Sequence, residues 1–402
     1  MSNVPISAVI AGTHGVRFVA SLLPDMSNPI FTAWVDVGEY GIAKSAFTGL
    51  APGTRYYVGY QPAGGEVAPL EATFKTPASG AHSFSFCAAS CANTASNAYT
   101  FQRIKDRADA DEIAFFVHLG DLHYDGIAVN DEGLFHQSLN NALFQPRQNA
   151  MWRSLPVLYM WDDWDYGPND SNRDSPSRQA AIAAFRRRVP TPPLARSGPE
   201  DAPYYSLIRG RVRFIFSDVR SERAEKGEFA STNPQQVVFA STQRDWFFGE
   251  LQAAAAAGQA VMWINTKPWV AAVANGADHW GGYSAARQEI AGFITTNGLA
   301  SRIAILAGDM HALAYDDGSS GNNAAGLKVM QAAALDRTGS NKGGPYTTGP
   351  IRVPSSGVVR QYGLIDVTDT GTGDIGIRFR GYSINTSDVE TLILDESFTL
   401  TT

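Results

Sequence analysis

The sequence predicts a small all-β module followed by a larger α/β domain, and three observations support this prediction. The length of 402 residues is typical of two or three domains. The first part of the chain contains only short β-rich runs, whereas the remainder alternates such runs with helical patterns. Hydrophobic residues make up 44% of the chain, which is enough to fill large cores and excludes a disordered protein. We place the module at residues 1–78 and the α/β domain at residues 83–402.

The all-β module is predicted from four runs that are bounded by turn residues. They are Val16–Leu22, Phe31–Val37, Arg55–Tyr60 and Leu70–Phe74. Between the second and third runs, Leu50-Ala-Pro-Gly-Thr-Arg-Tyr56 resembles a turn of fibronectin type III domains, in which the leucine packs inward and the tyrosine locks the sandwich edge. An unrelated pair of hairpins with a tight Pro-Gly turn is the alternative. In either case we expect the module to frame the larger domain.

The larger domain is predicted from strands that alternate with helices after a linker at Ala78–His82. The predicted strands are Phe84–Ser90, Ile113–Leu119, Val157–Trp161, Tyr204–Ile208, Val212–Asp218, Val261–Asn265, Ile303–Ala307, Val329–Ala333, Gly363–Val367, Gly376–Tyr382 and Leu392–Leu394. The predicted helices are Tyr99–Arg107, Glu132–Arg153, Pro176–Val189, Thr242–Ala257 and Ala285–Thr296. Two surface loops are expected at Asp317–Ala325 and Thr338–Pro354, and one of them could overhang a site.

Composition excludes several classes of function. The chain carries 32 Lys and Arg against 39 Asp and Glu, and this acidic balance argues against a nucleic-acid-binding surface. No apolar run approaches the ~18 residues that a membrane span needs. No export signal is visible in the first residues. The only cysteines, Cys87 and Cys91, would lie about 13 Å apart along a strand, so we expect no disulfide between them.

Chemically active side chains follow five of the predicted strands. These strand ends read Cys91-Ala-Asn93, Gly120-Asp-Leu-His-Tyr124-Asp125, Asp162-Asp-Trp-Asp165, Asn265-Thr-Lys-Pro268 and Gly308-Asp-Met-His311. In α/β sheets, ligands gather beyond the carboxyl ends of the strands. Converging carboxylates repel each other unless cations neutralise them, and an oxygen-rich set suits hard cations such as Fe(III), Mn, Ca or Mg. Two metals sharing one carboxylate would form a clamp for displacement at phosphorus.

In their order along the chain, these motifs resemble the alkaline phosphatase D (PhoD-like) family of calcineurin-like metallophosphoesterases. The motifs are Ser90-Cys91, Gly120-Asp-Leu-His-Tyr124, Trp161-Asp-Asp-Trp-Asp165, Asp218-Val-Arg220 and Gly308-Asp-Met-His311. The resemblance implies two mixed sheets flanked by helices and preceded by a fibronectin type III-like sandwich. It also implies that metal-activated water attacks small phosphodiesters or phosphomonoesters, and it suggests an exported, periplasmic or extracellular protein.

The resemblance further implies roles for individual residues. The implied metal ligands are Cys91, Asp121, Tyr124, Asp163, Asp309 and His311. Among them Asp121 bridges two ions, Cys91, Tyr124 and His311 complete an Fe(III) site, and Asp163 and Asp309 hold Ca(II), with Mn, Mg or Zn as substitutes. The predicted catalytic residues are Asp121, Asn93, Asp165 and Arg220, and the predicted substrate-binding residues are Arg220, Trp164 and Lys267.

Two departures from the family pattern keep other functions open. Trp164 stands where the family usually has a histidine, and an indole cannot protonate a leaving group. The block at Asn265 lacks a further histidine. A decayed phosphate- or metal-binding scaffold and a metal-dependent hydrolase of non-phosphorus esters are therefore alternatives. Cys91 as an inert buried thiol, Tyr124 as a core aromatic, and Asp218 with Arg220 as a structural ion pair also remain alternatives.

Overall fold

The N-terminal module is all-β, as predicted. The computed structural model describes residues 4–10 and 15–402. The strands of the module are β1 (Val4–Val9), β2 (Gly15–Ser21), β3 (Ile30–Phe31), β4 (Val35–Asp36), β5 (Ile42–Phe47), β6 (Arg55–Pro62) and β7 (Ala68–Lys75). β1 pairs with β5, while a second sheet has the order β3-β2-β6-β7, with β4 also on β2. The sequence did not reveal β1 and β5, because their Ala, Ser and Lys residues weaken the β signal.

The turn before β6 has the arrangement that its sequence predicted. Leu50 and Tyr56 are buried in the module core with Phe18 and Phe74. The Tyr56 hydroxyl accepts a hydrogen bond of 2.9 Å from the backbone N–H of Ala51. A tyrosine that binds the backbone a few residues upstream is the feature that closes this kind of corner. The fibronectin type III likeness itself stays a prediction.

The larger domain contains two mixed sheets, which confirms the predicted fold class. Its strands are β8 (Phe84–Ala89), β9 (Phe116–His118), β10 (Val157–Tyr159), β11 (Tyr205–Arg209), β12 (Val212–Phe216), β13 (Ala260–Ile264), β14 (Ile303–Ala307), β15 (Leu313–Asp316), β16 (Lys328–Gln331), β17 (Arg337–Thr338), β18 (Thr348–Ile351), β19 (Val358–Val359), β20 (Gln361–Thr368), β21 (Ile375–Ile384) and β22 (Glu390–Leu400). One sheet has the order β10-β9-β8-β20-β21-β22 and the other β11-β12-β13-β14-β16-β15-β18. β17 and β19 form a separate pair.

The two sheets pack face to face, and their strand ends form one edge. Phe86 of β8 lies 5.6 Å, between ring centroids, from Phe214 of β12, and both belong to one buried cluster. β8, β9 and β10 are parallel, as are β12, β13, β14 and β16. The residues that follow β8, β9, β10 and β14 are therefore delivered to a common region.

Helices flank the sheets, and some elements differ from the prediction. The helices are α1 (Tyr99–Asp109), α2 (Glu132–Leu143), α3 (Pro146–Ser154), α4 (Asp163–Tyr166), α5 (Arg178–Arg188), α6 (Ser241–Ala256) and α7 (Ser284–Thr296). The segment Glu132–Arg153, predicted to be mostly helical, contains two helices, because Pro146 begins the second. β18 lies within the segment that was predicted as a loop, where pairing with β15 orders it. Within residues 4–10 and 15–402, no helix combines the length and apolarity of a membrane span.

Replacement of Tyr56 by Phe tests the corner of the module. The variant loses the bond to Ala51, so we expect local stability to fall by about 1 kcal/mol and exchange of nearby amides to become about fivefold faster. Hydrogen exchange of the full chain, followed by mass spectrometry, measures this. Tyr57→Phe is the control, since no hydrogen bond of the Tyr57 hydroxyl is seen within residues 4–10 and 15–402. Equal exchange in both variants would show that the corner does not stabilise the module.

Candidate metal centre

Left-handed turns after the strands direct the site residues towards one another. Cys91, Asp121, Asp309 and His311 have φ values of 62°, 57°, 63° and 54°. Such values are uncommon outside glycine and cluster at functional sites. Gly120, at φ 87°, must be glycine, because a Cβ there would lie 2.5 Å from the backbone nitrogen of Asp162. This close approach brings the ends of β9 and β10 together.

A first group of donors contains a thiol, a carboxylate, a phenol and an imidazole. The Cys91 thiol lies 3.5 Å from Oδ2 of Asp121, and the Tyr124 hydroxyl donates to the same oxygen at 2.7 Å. Nε2 of His311 is 3.2 Å from the Tyr124 hydroxyl. Cys91 and Asp121 are buried. The structure thus brings together the four residues that were predicted to surround one metal ion.

The protonation chemistry of this group suits a metal ion. Burial, and next the Asp121 carboxylate, raise the pKa values of Cys91 and Tyr124 well above normal. Burial and neighbouring carboxylates likewise raise the pKa of Asp121, whose Oδ1 has no hydrogen-bond partner within the described residues. Nδ1 of His311 bonds to the Thr338 carbonyl at 2.7 Å, which leaves Nε2 as the ligating atom. A cation would displace the acidic protons and satisfy the free oxygen.

A second group of carboxylates shares Asp121 with the first. Oxygens of Asp121, Asp162 and Asp163 all lie within 4.8 Å of one another. Oδ2 of Asp162 has no partner within the described residues, and burial raises the pKa of Asp162 to about 8. Asp163 accepts backbone N–H groups from Trp164 at 3.0 Å and from Asp170 at 2.8 Å. This group fits an oxygen-preferring cation, with Asp121 between the two positions.

Asp309, which was predicted to share an ion with Asp163, already pairs with a positively charged side chain, that of Lys342. Oδ1 of Asp309 pairs with the ammonium group of Lys342, while Oδ2 has no partner within the described residues. The negative charge of Asp309 contributes to the raised pKa values of Asp121 and Asp162. Asp309 therefore belongs to the same charged centre.

The structure contradicts the predicted phosphate-binding role of Arg220. The side chain is fully buried, its Nε donates to Asp162, and its two terminal nitrogens donate to Asp278 at 2.9 and 3.0 Å. Its guanidinium is thus occupied within the protein. The alternative pair with Asp218 is also wrong, because Asp218 accepts the backbone N–H of Arg220 rather than its side chain.

Asp165 and Lys267 also differ from their predicted roles. Both oxygens of Asp165 accept backbone N–H groups, from Leu122 at 2.6 Å and from Asp121 and Asp162 at 2.5 and 2.9 Å. Asp165 is therefore a positioning residue. The side-chain nitrogen of the buried Lys267 lies 3.6 Å from Asp278 and 4.7 Å from the centre of the Tyr283 ring, so it faces the protein interior rather than a substrate.

The two remaining predicted residues lie at the rim of the centre. Trp164 is half-buried, and its ring lies 5.1 Å from that of Tyr124. Asn93 is half-buried and accepts a hydrogen bond of 2.6 Å from Arg337. The Arg337 guanidinium lies 3.6 Å from the centre of the Tyr124 ring. Both predicted residues are thus beside the donors and not among them.

Sequence reasoning missed four residues of the centre: Asp162, Asp278, Arg337 and Lys342. Asp162 could have been predicted, because it directly precedes Asp163 in the sequence. In the structure Asp162 caps α4, and its carboxylate lies beside those of Asp121 and Asp163. Lys342 lies in one of the two predicted loops, either of which was a candidate to overhang a site. Asp278 and Arg337 had no local signal, since only tertiary folding brings them to Arg220 and Asn93.

Comparison with known proteins agrees with this geometry. The family model described as PhoD-like phosphatase matches residues 86–338. Alkaline phosphatase D of Bacillus subtilis (strain 168) is 25% identical over 353 residues, covering 77% of this chain and 58% of that protein. A solved structure of PhoD superposes with a TM-score of 0.75 at 16% identity, over 99% of this chain and 84% of that one. Purple acid phosphatase PPD1 from yellow lupin (Lupinus luteus) seeds gives 0.57 at 13% identity, over 99% and 74%.

The two mixed sheets, with candidate metal donors at their strand ends, place the chain in the fold class that the solved structures of PhoD and purple acid phosphatase PPD1 share. Within that class, the chain belongs to the PhoD-like phosphatase family, because the family model matches more than half of its residues. The chain spans 58% of the length of its Bacillus relative.

Replacement of Asp165 by Ala tests its positioning role. Three backbone N–H groups would lose their acceptor, so we expect the free energy of unfolding to fall by about 1–3 kcal/mol and metal affinity to fall about 10–100-fold. Urea unfolding and metal titration measure the two effects. Asp174→Ala, at an exposed aspartate, is the control and should change stability by less than about 0.5 kcal/mol. Wild-type metal affinity in Asp165→Ala would contradict the assignment.

Proposed function

We propose that this protein hydrolyses phosphomonoesters or phosphodiesters at a centre of two metal ions that share Asp121. One observation carries the proposal. Two different groups of donors, one with a thiol and a phenol and the other with carboxylates only, meet at a single buried aspartate. Membership of the PhoD-like phosphatase family supports the same reaction. The fold alone would not specify the bond that is cleaved.

The donor chemistry favours different ions at the two positions. Cys91, Tyr124, His311 and Asp121 would hold Fe(III), because thiolate and phenolate stabilise the ferric state. Asp121, Asp162 and Asp163, with Asp309 nearby, would hold Ca(II), which prefers oxygen ligands. Mn, Mg or Zn are substitutes at such sites. When bound, a pair of cations supplies Lewis acidity, which activates water and neutralises the phosphoryl oxygens.

The residues around the donors complete the site. Arg337, held by Asn93 and stacked on Tyr124, places a positive charge at the rim, where it would attract and orient an anionic ester. It takes the role that the sequence had suggested for Arg220. Substrate contact by Arg337 requires no rearrangement of the buried charge network, since Arg337 lies outside it.

A groove beside Trp164 would accept the organic part of the ester. The groove has a volume of about 510 Å³ and extends from the segment that carries Tyr124; its lining includes Ile127, Leu134, Gln137, Ser138 and Asn141. Trp164 packs over the start of this segment, because a Cβ at Gly126 would lie 3.3 Å from its ring. Its apolar and amide side chains can bind an organic alcohol group, and Asp125 adds one carboxylate to the lining.

The proposal predicts that Asp121→Asn abolishes phosphate-ester hydrolysis. The variant removes the charge that both positions share, so activity should fall by at least about 100-fold while the circular dichroism spectrum is unchanged. The assay uses bis(p-nitrophenyl) phosphate and p-nitrophenyl phosphate. Asp174→Asn is the matched control. Full activity in Asp121→Asn would exclude the proposed centre, and a wild-type protein that binds metal without turnover would favour the scaffold alternative.

A second prediction concerns the leaving group. Because the Trp164 indole cannot transfer a proton, the wild-type kcat/KM should depend steeply on the acidity of the departing alcohol. Trp164→His introduces a group that can donate a proton, and we expect it to raise kcat/KM for alkyl esters by at least about tenfold relative to Trp164→Phe. A series of aryl and alkyl phosphodiesters measures this. Equal rates for the His and Phe variants would show that the side chain at position 164 does not donate a proton to the leaving group.

A further inference from the structure

Lys342 places a positive charge of the chain itself at the second metal position. Its ammonium group pairs with Oδ1 of the buried Asp309. The negative charges of Asp163 and Asp278 also help to raise the pKa of Lys342, after that of Asp309. Its side chain is 34% exposed, which means that it approaches the centre from the solvent side. A cation at the second position that takes Asp309 as a further ligand would therefore compete with Lys342 for it.

The segment that carries Lys342, residues 339–345, is fixed at both ends, and we call it the strap. Ser340 donates to the Met310 carbonyl at 2.7 Å, next to Asp309. At the other end, the Gly344 N–H donates to the Val270 carbonyl at 2.6 Å, and Asn322 donates to the Gly344 carbonyl at 2.8 Å. Gly343 has a φ of 84°, and a Cβ there would lie 2.6 Å from the Val270 carbonyl oxygen. Lys342 is thus held over the centre by the strap.

The two metal positions differ in how far the chain itself balances their charge. At the first position, Cys91, Tyr124 and His311 accept no hydrogen bond from a lysine or arginine within residues 4–10 and 15–402. At the second, Asp162 pairs with Arg220 and Asp309 pairs with Lys342. Asp163 is also 3.6 Å from Arg220. Ion pairs therefore neutralise part of the negative charge at the second position, whereas the cation at the first position, Arg337, stacks on the Tyr124 ring without pairing with a carboxylate of the described residues there.

We propose that Lys342 is an intramolecular competitor of the second metal ion, so that the Cys91 side binds its ion tightly and the carboxylate side binds Ca²⁺ weakly and reversibly. This inference rests on the metal centre of the proposed function. Occupancy of the second position then follows the concentration of free cation, because each binding event must separate the Lys342–Asp309 pair.

Calcium titration of the full-length, iron-loaded protein by isothermal titration calorimetry tests the inference. Lys342→Met keeps the length of the side chain and removes its charge, and we expect it to bind Ca²⁺ at least about tenfold more tightly than the wild type. Lys342→Arg keeps the charge and should bind Ca²⁺ with near wild-type affinity. Lys328→Met is the control for loss of a lysine elsewhere, since Lys328 contacts only the Asp317 backbone carbonyl among the hydrogen bonds of the described residues.

Unchanged or weaker calcium binding by Lys342→Met would overturn the inference, as would an absence of calcium binding in both proteins. Should Lys342→Met lose its native circular dichroism spectrum, Lys342→Gln replaces it in the same titration. Phosphate-ester hydrolysis is measured separately on the wild type. Tighter calcium binding by Lys342→Met without any hydrolysis in the wild type would support the role of Lys342 and reject the proposed function. Unchanged calcium binding together with hydrolysis in the wild type would support the proposed function and reject the role of Lys342.

Discussion

Buried negative charge is the constraint on which the rest of this centre depends. Asp121, Asp162, Asp163 and Asp309 are almost completely buried at neighbouring strand ends. Carboxylates so placed repel each other unless positive charge lies among them. Arg220 and Lys342 supply part of that charge from within the chain. Under the proposed function, a cation bound beside the thiol, phenol and imidazole around Asp121 would supply the remainder. The fold, the backbone turns and the strap can all be understood as ways of holding this arrangement.

The backbone accepts strain in order to hold the donors. Cys91, Asp121 and His311 occupy the left-handed region, which side-chain-bearing residues seldom adopt. Hydrogen bonds oppose the strain: Asp165 binds the N–H groups of Asp121 and Leu122, and the Gly120 carbonyl accepts the N–H of Cys91. Asp165 thus positions the donors through their backbone, because its oxygens accept backbone N–H groups.

The sequence predicted the sheets and the gathering of strand-end side chains from local order, whereas the grouping of the first donors around one ion was implied by the resemblance to the PhoD-like family. Cys91, Asp121, Tyr124 and His311 each follow a recognisable strand, and parallel strands bring such residues to one edge. The partners of buried charges could not be predicted in this way. Arg220 reaches Asp278 across 58 residues of sequence, and nothing near either residue indicates the pair. Asp165 was misassigned because a carboxylate in a motif looks the same whether it binds a metal or a backbone amide. The short strands β1 and β5 were not predicted, because their pairing with each other, and not their composition, makes them strands.

The most direct test of this account is the metal content of the freshly purified wild-type protein, determined by mass spectrometry without added metals or chelators. The account predicts about one tightly bound iron per chain, with substoichiometric calcium that rises when calcium is added. It also predicts visible absorption from thiolate and phenolate bound to a ferric ion. A protein that holds no transition metal, even after reconstitution with iron, would contradict the central claim that the donors around Asp121 form a metal centre.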